Sequence, residues 1–334
     1  MTRKLNPFHQ QLWRSNNSIQ LGLGDSAVVL EAVTANQQRF INALQHGFAE
    51  SQVEAIANQV KLPYLQAQEL LAKLDGLLLE DSPALAENLD WNQATVQVVD
   101  QSPELVRASL DRSALGQAVL RERANRSVLI TSGDITSHVL VQLLAQSGVG
   151  QIWVRPSVRS AMLDTGIGVG VIKNLDQARA STLRAVDLVL HSGQQVIDPR
   201  TYRHWIGMGL AQLGIAFQPT GVTVSAVRRP LENGCLRCEH LENCDADPEW
   251  GVLAAQLLTS QLRFDDTSTR SVAAGLASHQ SLRWLDQQGG FSGSVPPEDY
   301  GYRFSSVSGS VTRLEQRRHP ECDCLELAKQ LKVA

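Results

Sequence analysis

Four of the five cysteines in this 334-residue chain fall in two tight pairs. One pair is Cys235-Leu236-Arg237-Cys238. The other is Cys322-Asp323-Cys324, close to the C-terminus. A CxxC turn lets two thiolates reach one ion, and CxC supplies two more from the far end of the chain. Four thiolates in two clusters suit tetrahedral zinc, and a closed four-cysteine site is structural rather than catalytic. Cys235, Cys238, Cys322 and Cys324 are therefore the expected zinc ligands. Binding of this kind adds on the order of 10 kcal/mol of folding free energy in peptides, and here it would pin the C-terminus to the body of the fold. The alternatives are an iron–sulfur cluster, which nothing else in the chain favours, or separate buried thiols. Asn233-Gly234 and His319-Pro320 precede the pairs and predict that both sit in loops. Grouped cysteines, too few for a disulfide scaffold, fit a reducing compartment.

The remaining cysteine, Cys244, lies among Glu242, Asp245 and Asp247. Carboxylates disfavour a thiolate, so it reads as a surface thiol more readily than as a nucleophile. His240 and His319 flank the cysteine pairs as possible partners of a thiolate or as exposed histidines. Arg228-Arg229 reads as a solvated strand end. The formal net charge of -4 argues against a general nucleic-acid binder. No apolar run approaches the roughly 20 residues that span a bilayer. The opening MTRKLNPFHQQLW has no apolar core for a signal peptide. A cytoplasmic protein with no membrane partner is expected.

At roughly 150 residues per domain, the length suggests about two domains. Residues 18–34 read as a hairpin: Ile19 and Leu21 alternate with polar residues, Gly24-Asp25-Ser26 turns, and Val28-Val29-Leu30 returns. Three helical patterns follow, near 36–46, 51–60 and 65–78. Ser51 and Glu54 give the second a capping-box signature. A small hairpin plus three helices resembles a winged helix. A DNA-reading helix normally carries Arg and Lys, whereas residues 62–81 set Lys73 against Glu69, Asp75, Glu80 and Asp81. A peptide or small protein is the expected partner of residues 1–95. Residues 96–125 are read as a connector, within a stretch carrying a strand at 94–99 and a helix at about 104–123.

From Ser127 the pattern changes. Residues 127–131 read as a buried strand, 135–147 as a helix closed by Gly148, and 151–154 as a second strand. That βαβ unit implies a parallel, Rossmann-like sheet. Further helices are expected at 175–184, 199–213, 248–263 and 268–286, strands at 185–190, 214–218 and 221–227, and a β pair over 302–316. The predicted class is α/β: a mainly parallel Rossmann-like domain over 126–334, preceded by a small α+β winged helix.

The run GCLRC, then DADPEW, then HPECDC after a Rossmann-like unit resembles the ThiF/MoeB family, the adenylating enzymes that activate ubiquitin-like and sulfur-carrier proteins. It is most similar to a branch associated with cyclodehydratases, in which an N-terminal winged helix binds a leader peptide. The resemblance covers residues 126–330, and LWRSNNSIQLGLGDSAVVLE extends it. It implies a homodimer, ATP as cofactor, and Cys244 as a position that could carry a thioester. The nucleotide positions depart from that pattern. Where the family has a turn resembling GxGxxGS, this chain has Thr131-Ser132-Gly133-Asp134-Ile135-Thr136-Ser137, in which only Gly133 and Ser137 match. The lost glycines would let backbone N–H groups approach phosphate, and Asp134 adds a repelling charge. Arg155 follows the second strand where the family has an acid for ribose. Gln194 replaces the family's magnesium-holding Asp. Gly170 and Lys173 loosely match its GxxK.

Gly133, Ser137, Arg155 and Lys173 thus form a degenerate nucleotide site, and ATP is doubtful as a cofactor. The expected function is a zinc-stabilised ThiF-like pseudo-enzyme that binds a peptide or protein. An active ATP-dependent adenylating enzyme is the alternative, and a winged-helix transcription regulator the third reading. Arg155 meeting a phosphate directly leaves a different nucleotide open.

Overall fold

The computed structural model describes residues 2–6, 9, 11–14, 17–22, 27–81, 103–104, 116–163, 172–288 and 300–330. The expected strand at 94–99 and Gly170 lie outside them, as do the turn residues 24–26. Two units are present, Met1–Arg121 with Gly290–Val295, and Glu122–Gly289 with Pro296–Ala334.

In the first unit, β1 (Thr2–Leu5), β2 (Gln11–Trp13), β3 (Ile19–Leu21) and β4 (Val28–Leu30) precede α1 (Ala35–Ala43), β5 (Phe48–Ala49), α2 (Val53–Gln59), α3 (Tyr64–Leu74) and β6 (Leu78–Asp81). The hairpin of β3 and β4 forms in the register Ile19↔Leu30, Gln20↔Val29 and Leu21↔Val28. Alternation along it buries Ile19, Leu21 and Leu30 against Phe40 and Ile41 of α1. β2 adds to the other side of β3, so β4 ends the three-stranded sheet. The helices lie close to the patterns that predicted them. The capping differs. Thr34 and Gln37 form the capping box, the Gln37 N–H donating to Thr34 Oγ1 at 3.3 Å and the Thr34 N–H to Gln37 Oε1 at 2.8 Å. Ser51 caps nothing. The Ala49 N–H donates instead to Gln52 Oε1, and α2 opens at Val53. A second sheet, ordered β5-β1-β6, was not legible as a pattern. Its strands are short, and Arg3 of β1 joins it to Glu50 and Asp75.

In the second unit the order is α4 (Gly116–Ala124, which runs in from the first), β7 (Ser127–Ile130), α5 (Ile135–Gln146), β8 (Gln151–Val154), α6 (Pro156–Leu163), β9 (Ile172–Asn174), α7 (Ala180–Arg184) and β10 (Leu188–Gln194). Then come α8 (Pro199–Gly207), β11 (Ala211–Gln218), β12 (Gly221–Val224), α9 (Leu236–Ala246), α10 (Trp250–Leu257), α11 (Thr267–Gln287), β13 (Tyr300–Ser305), β14 (Val311–Glu315) and α12 (Cys324–Gln330). The eight-stranded sheet runs β14-β13-β12-β11-β10-β7-β8-β9. β9, β8, β7, β10 and β11 are parallel, and the remaining neighbours pair antiparallel. This is a mixed α/β, Rossmann-like layer. On one face, Leu140, Val141 and Leu144 of α5 and Ala273, Ala274 and Ala277 of α11 bury Val128, Ile130, Leu188 and Leu190. On the other, Trp205 and Leu210 cover Leu129, Trp153 and Val189.

Two expected helices end early. The one predicted to reach 213 stops at Gly207 because Gly209, at φ +68°, turns the chain. Leu213, Ile215 and Phe217 then alternate into the core as a strand. The helix expected to reach 263 stops at Leu257. No described helix is long and apolar enough to cross a membrane.

Candidate functional site

The two cysteine pairs meet. Cys235 caps the N-terminus of α9 and Cys238 lies in its first turn. Cys322 sits in the turn before α12 and Cys324 opens that helix. The pairs are thus on helix starts, not in the loops that Gly234 and Pro320 suggested. CLRCEHLENC carries no continuous apolar stripe, since only Leu236 and Cys238 of α9 are buried, so periodicity gave no sign of the helix. Gly234 is required here. At φ +99°, a Cβ on it would lie 2.9 Å from Cys238 Sγ.

All four Sγ atoms lie within 4.8 Å of one another, and all four residues are buried. Cys235 Sγ is 3.9 Å from Cys238 Sγ and 3.7 Å from Cys322 Sγ, and Cys238 Sγ is 3.9 Å from Cys324 Sγ. A tetrahedron with Zn–S of about 2.3 Å has edges of about 3.8 Å, whereas a disulfide needs S–S near 2.05 Å. The donor set therefore fits a tetrahedral ion. Hydrogen bonds to Cys238 and Cys322 push the Cys235 thiol up, and the reciprocal contact, Cys235 first, pulls Cys238 down. Four thiols this close cannot all ionise without a cation among them. Around the cluster, Arg237 pairs with Asp323. Buried His319 sits with Nε2 2.8 Å from Asp245 Oδ2, which raises the imidazole. Arg228 is fully buried rather than solvated.

The turn after β7 is the second place where sequence motifs converge. Asp134 caps α5: the Ser137 N–H donates to Asp134 Oδ1 at 2.9 Å, and the Ser137 hydroxyl donates to the same oxygen at 2.9 Å. The Ser192 hydroxyl, from β10, bonds to Asp134 Oδ2 and lies 2.8 Å from Ser132 Oγ. The mouth of the helix, where the partial positive charge of a helix N-terminus would attract an anion, thus already holds one. Arg155 donates Nε to the Thr131 carbonyl at 2.6 Å, and its Cδ would lie 3.4 Å from a Cβ on Gly133. Gly133, Ser137 and Arg155 are therefore neighbours. Lys173 is on β9 beside Trp153. Because Ile172 packs with the α5 face, alternation places Lys173 on the opposite one. Gln194 Oε1 accepts the Phe264 N–H at 2.8 Å, so it tethers a loop.

Sequence reasoning missed His191. It is buried on β10, with Nδ1 2.8 Å from Thr131 Oγ1 and Nε2 3.1 Å from Gln212 Oε1. Burial pushes it down to about 3, so it is neutral and structural. A cavity of about 420 Å³ opens nearby, lined in part by Ile135, Phe264, Arg263, Asp265 and Arg270. Arg263 donates Nε and Nη2 to the Asp265 carboxylate at 3.0 and 2.6 Å, and Arg270 donates to the Asp265 carbonyl at 3.3 Å. These arginines thus hold Asp265. Cys244 lies on α9, half-buried, its Sγ 3.8 Å from His240 Nε2, and the Trp250 indole donates to His240 Nδ1 at 3.3 Å.

No family model matches the chain, and no curated protein matches it. Solved structures do. Microcin C7 biosynthetic enzyme MccB in complex with N-formylated MccA is similar over 97% of this chain and 100% of its own, at 11% identity and a TM-score of 0.64. E. coli MccB with ATP aligns over 97% and 100%, at 12% identity and a TM-score of 0.62. The heterocyclase TruD aligns over 97% of this chain but only 42% of its own, at 14% identity and a TM-score of 0.58. At these identities the likeness is one of fold.

Proposed function

We propose that this chain is a zinc-stapled, ThiF-like protein that holds a peptide or small protein and does not adenylate it. One observation carries the reading. Asp134 places a carboxylate in the N-terminus of α5, and the Ser137 N–H and the Ser192 hydroxyl are spent on it. An adenylating site needs such N–H groups for phosphate and a metal to offset phosphate charge. Here Gln194 is bonded to the Phe264 N–H, and Arg155 bonds a carbonyl.

Zinc as the ion is supported by the thiol spacing. Its four ligands would be Cys235, Cys238, Cys322 and Cys324, and it would supply a fixed tetrahedral cross-link. The winged-helix reading of the first unit is supported by its hairpin and three helices. β4, an end strand, offers an edge to which a peptide could add as a further strand. The likeness to MccB solved with MccA supports a peptide partner. A homodimer in a reducing compartment completes the proposal.

A second reading, an ATP-dependent adenylating enzyme, is favoured by the likeness to MccB solved with ATP. ATP–pyrophosphate exchange separates the two. The pseudo-enzyme reading expects exchange at the no-protein background with every peptide offered, and robust exchange overturns it.

A further inference from the structure

Arg228 is among the largest side chains with no exposed surface in the protein. A buried guanidinium is costly unless its donors and its charge are both answered. Its donors are answered in part. Nη2 donates to the Arg317 carbonyl at 2.8 Å and Nε approaches the Cys235 carbonyl at 3.4 Å, while Nη1 has no partner among the described residues. Both acceptors are backbone carbonyls, which carry no net charge. They belong to the two segments that bring the cysteine pairs together. The backbone of Arg228 is fixed from the other side, its N–H donating to the Gln212 carbonyl at 2.6 Å and its carbonyl accepting from the Gln212 N–H at 2.9 Å. The side chain therefore projects from a backbone bridged to the margin of the sheet.

The charge it answers lies beside it. A Cβ built on Gly234 would be 2.9 Å from Cys238 Sγ and 3.0 Å from Arg228 Nη2. Those two atoms are consequently no more than about 6 Å apart, a range at which charges in a protein interior interact strongly. Glu239 and Glu242 of α9 also feel the Arg228 charge, which opposes the upward push that burial gives both carboxyls. Neither hydrogen-bonds to it among the described contacts.

We infer that Arg228 is the buried counter-cation of the four-thiolate metal centre, a positioning residue that lets an ion carrying four cysteine thiolates exist without water. This rests on the zinc reading above. A divalent ion with four thiolates has a net charge of -2, and the fixed positive charge offsets part of it. The same guanidinium ties the Cys235 carbonyl to the Arg317 carbonyl, so the charge is held where the two halves close. Residues that orient and stabilise metal ligands typically contribute 10- to 100-fold in metal affinity.

The test compares wild type with Arg228→Lys, Arg228→Gln and Arg228→Met in the full chain. Zinc affinity is read by competition with a chelator of known affinity, and the thiolate-to-metal charge-transfer band is read after substitution with cobalt(II). Arg228→Gln keeps hydrogen-bonding capacity without charge, and Arg228→Lys keeps charge with a different donor geometry. The inference expects the two neutral variants to lose about 10- to 100-fold in zinc affinity and Arg228→Lys to stay within about threefold, since it retains the charge. Wild-type affinity in both neutral variants overturns it, as does retention by Gln with loss by Lys, which would make Arg228 a carbonyl tether only. If neither neutral variant folds with zinc present, Arg228→Lys decides alone: affinity within about threefold keeps the inference and a larger loss overturns it. Wild-type protein that binds no zinc overturns the zinc reading itself, a result distinct from any difference among the variants.

Discussion

Cys238→Ser protein is expected to purify without zinc and to melt about 10 °C below wild type, a loss of about 4 kcal/mol. The size follows from the packing. Zinc-finger peptides derive about 10–16 kcal/mol from their ion because they have no other core. The second unit has one, built by α5 and α11 on the sheet, and the four cysteines belong to a separate cluster. What would depend on the ion is the smaller cluster of Tyr202, Ile206, Leu236 and the four cysteines, together with the attachment of α12. Removing one ligand also leaves three buried thiols crowded without their cation. Cys244→Ser, by contrast, should leave zinc content and melting unchanged. Zinc by elemental analysis and melting by circular dichroism check both, and a Cys238→Ser protein that keeps its zinc would contradict the assignment.

The second large effect is expected away from the metal. Arg123 and Asp286 form a bidentate pair, Nε to Oδ1 at 2.8 Å and Nη2 to Oδ2 at 2.8 Å, with side-chain exposures of 0% and 3%. Arg123 Nη1 also donates to the Ser147 carbonyl at 2.7 Å. The pair thus links α4 to α11 and to the end of α5, the helix that Asp134 caps. Asp286→Ala takes the carboxylate away from a buried guanidinium and should cost about 3–5 kcal/mol in urea unfolding. Replacing both partners, Arg123→Met with Asp286→Leu, should recover most of that loss, because the desolvation of both charges disappears with them. A double variant as unstable as Asp286→Ala would show that the pair is valued for more than mutual neutralisation.

The cysteine cluster was legible because metal chemistry fixes both residue type and spacing, so Cys235, Cys238, Cys322 and Cys324, which the fold brings within 4.8 Å of one another, stood out without an alignment. The βαβ start at 127–154 was legible through its apolar runs and the glycine after α5. What escaped had long-range causes. Ser192 closes on Asp134 from 58 residues away, and no local pattern announces a hydroxyl that arrives on another strand. Arg228-Arg229 looks like a solvated strand end, yet the carbonyl that receives Arg228 is 89 residues distant. The segment LAQLGIAF reads as readily as helix as strand. Its neighbours β10 and β12 decide the matter. β5, only two residues long, forms because β1 offers it an edge.

The proposed function requires that the turn after β7 does not receive a nucleotide phosphate. Exchange needs a carboxylate substrate as well as ATP, so binding alone is the more direct test. Calorimetric titration of the wild-type protein with magnesium ATP should give no saturable heat up to about 1 mM, where a ligand contributes only about 4 kcal/mol. Saturable one-site binding tighter than about 100 µM, weakened by substitution of Arg155, would contradict it.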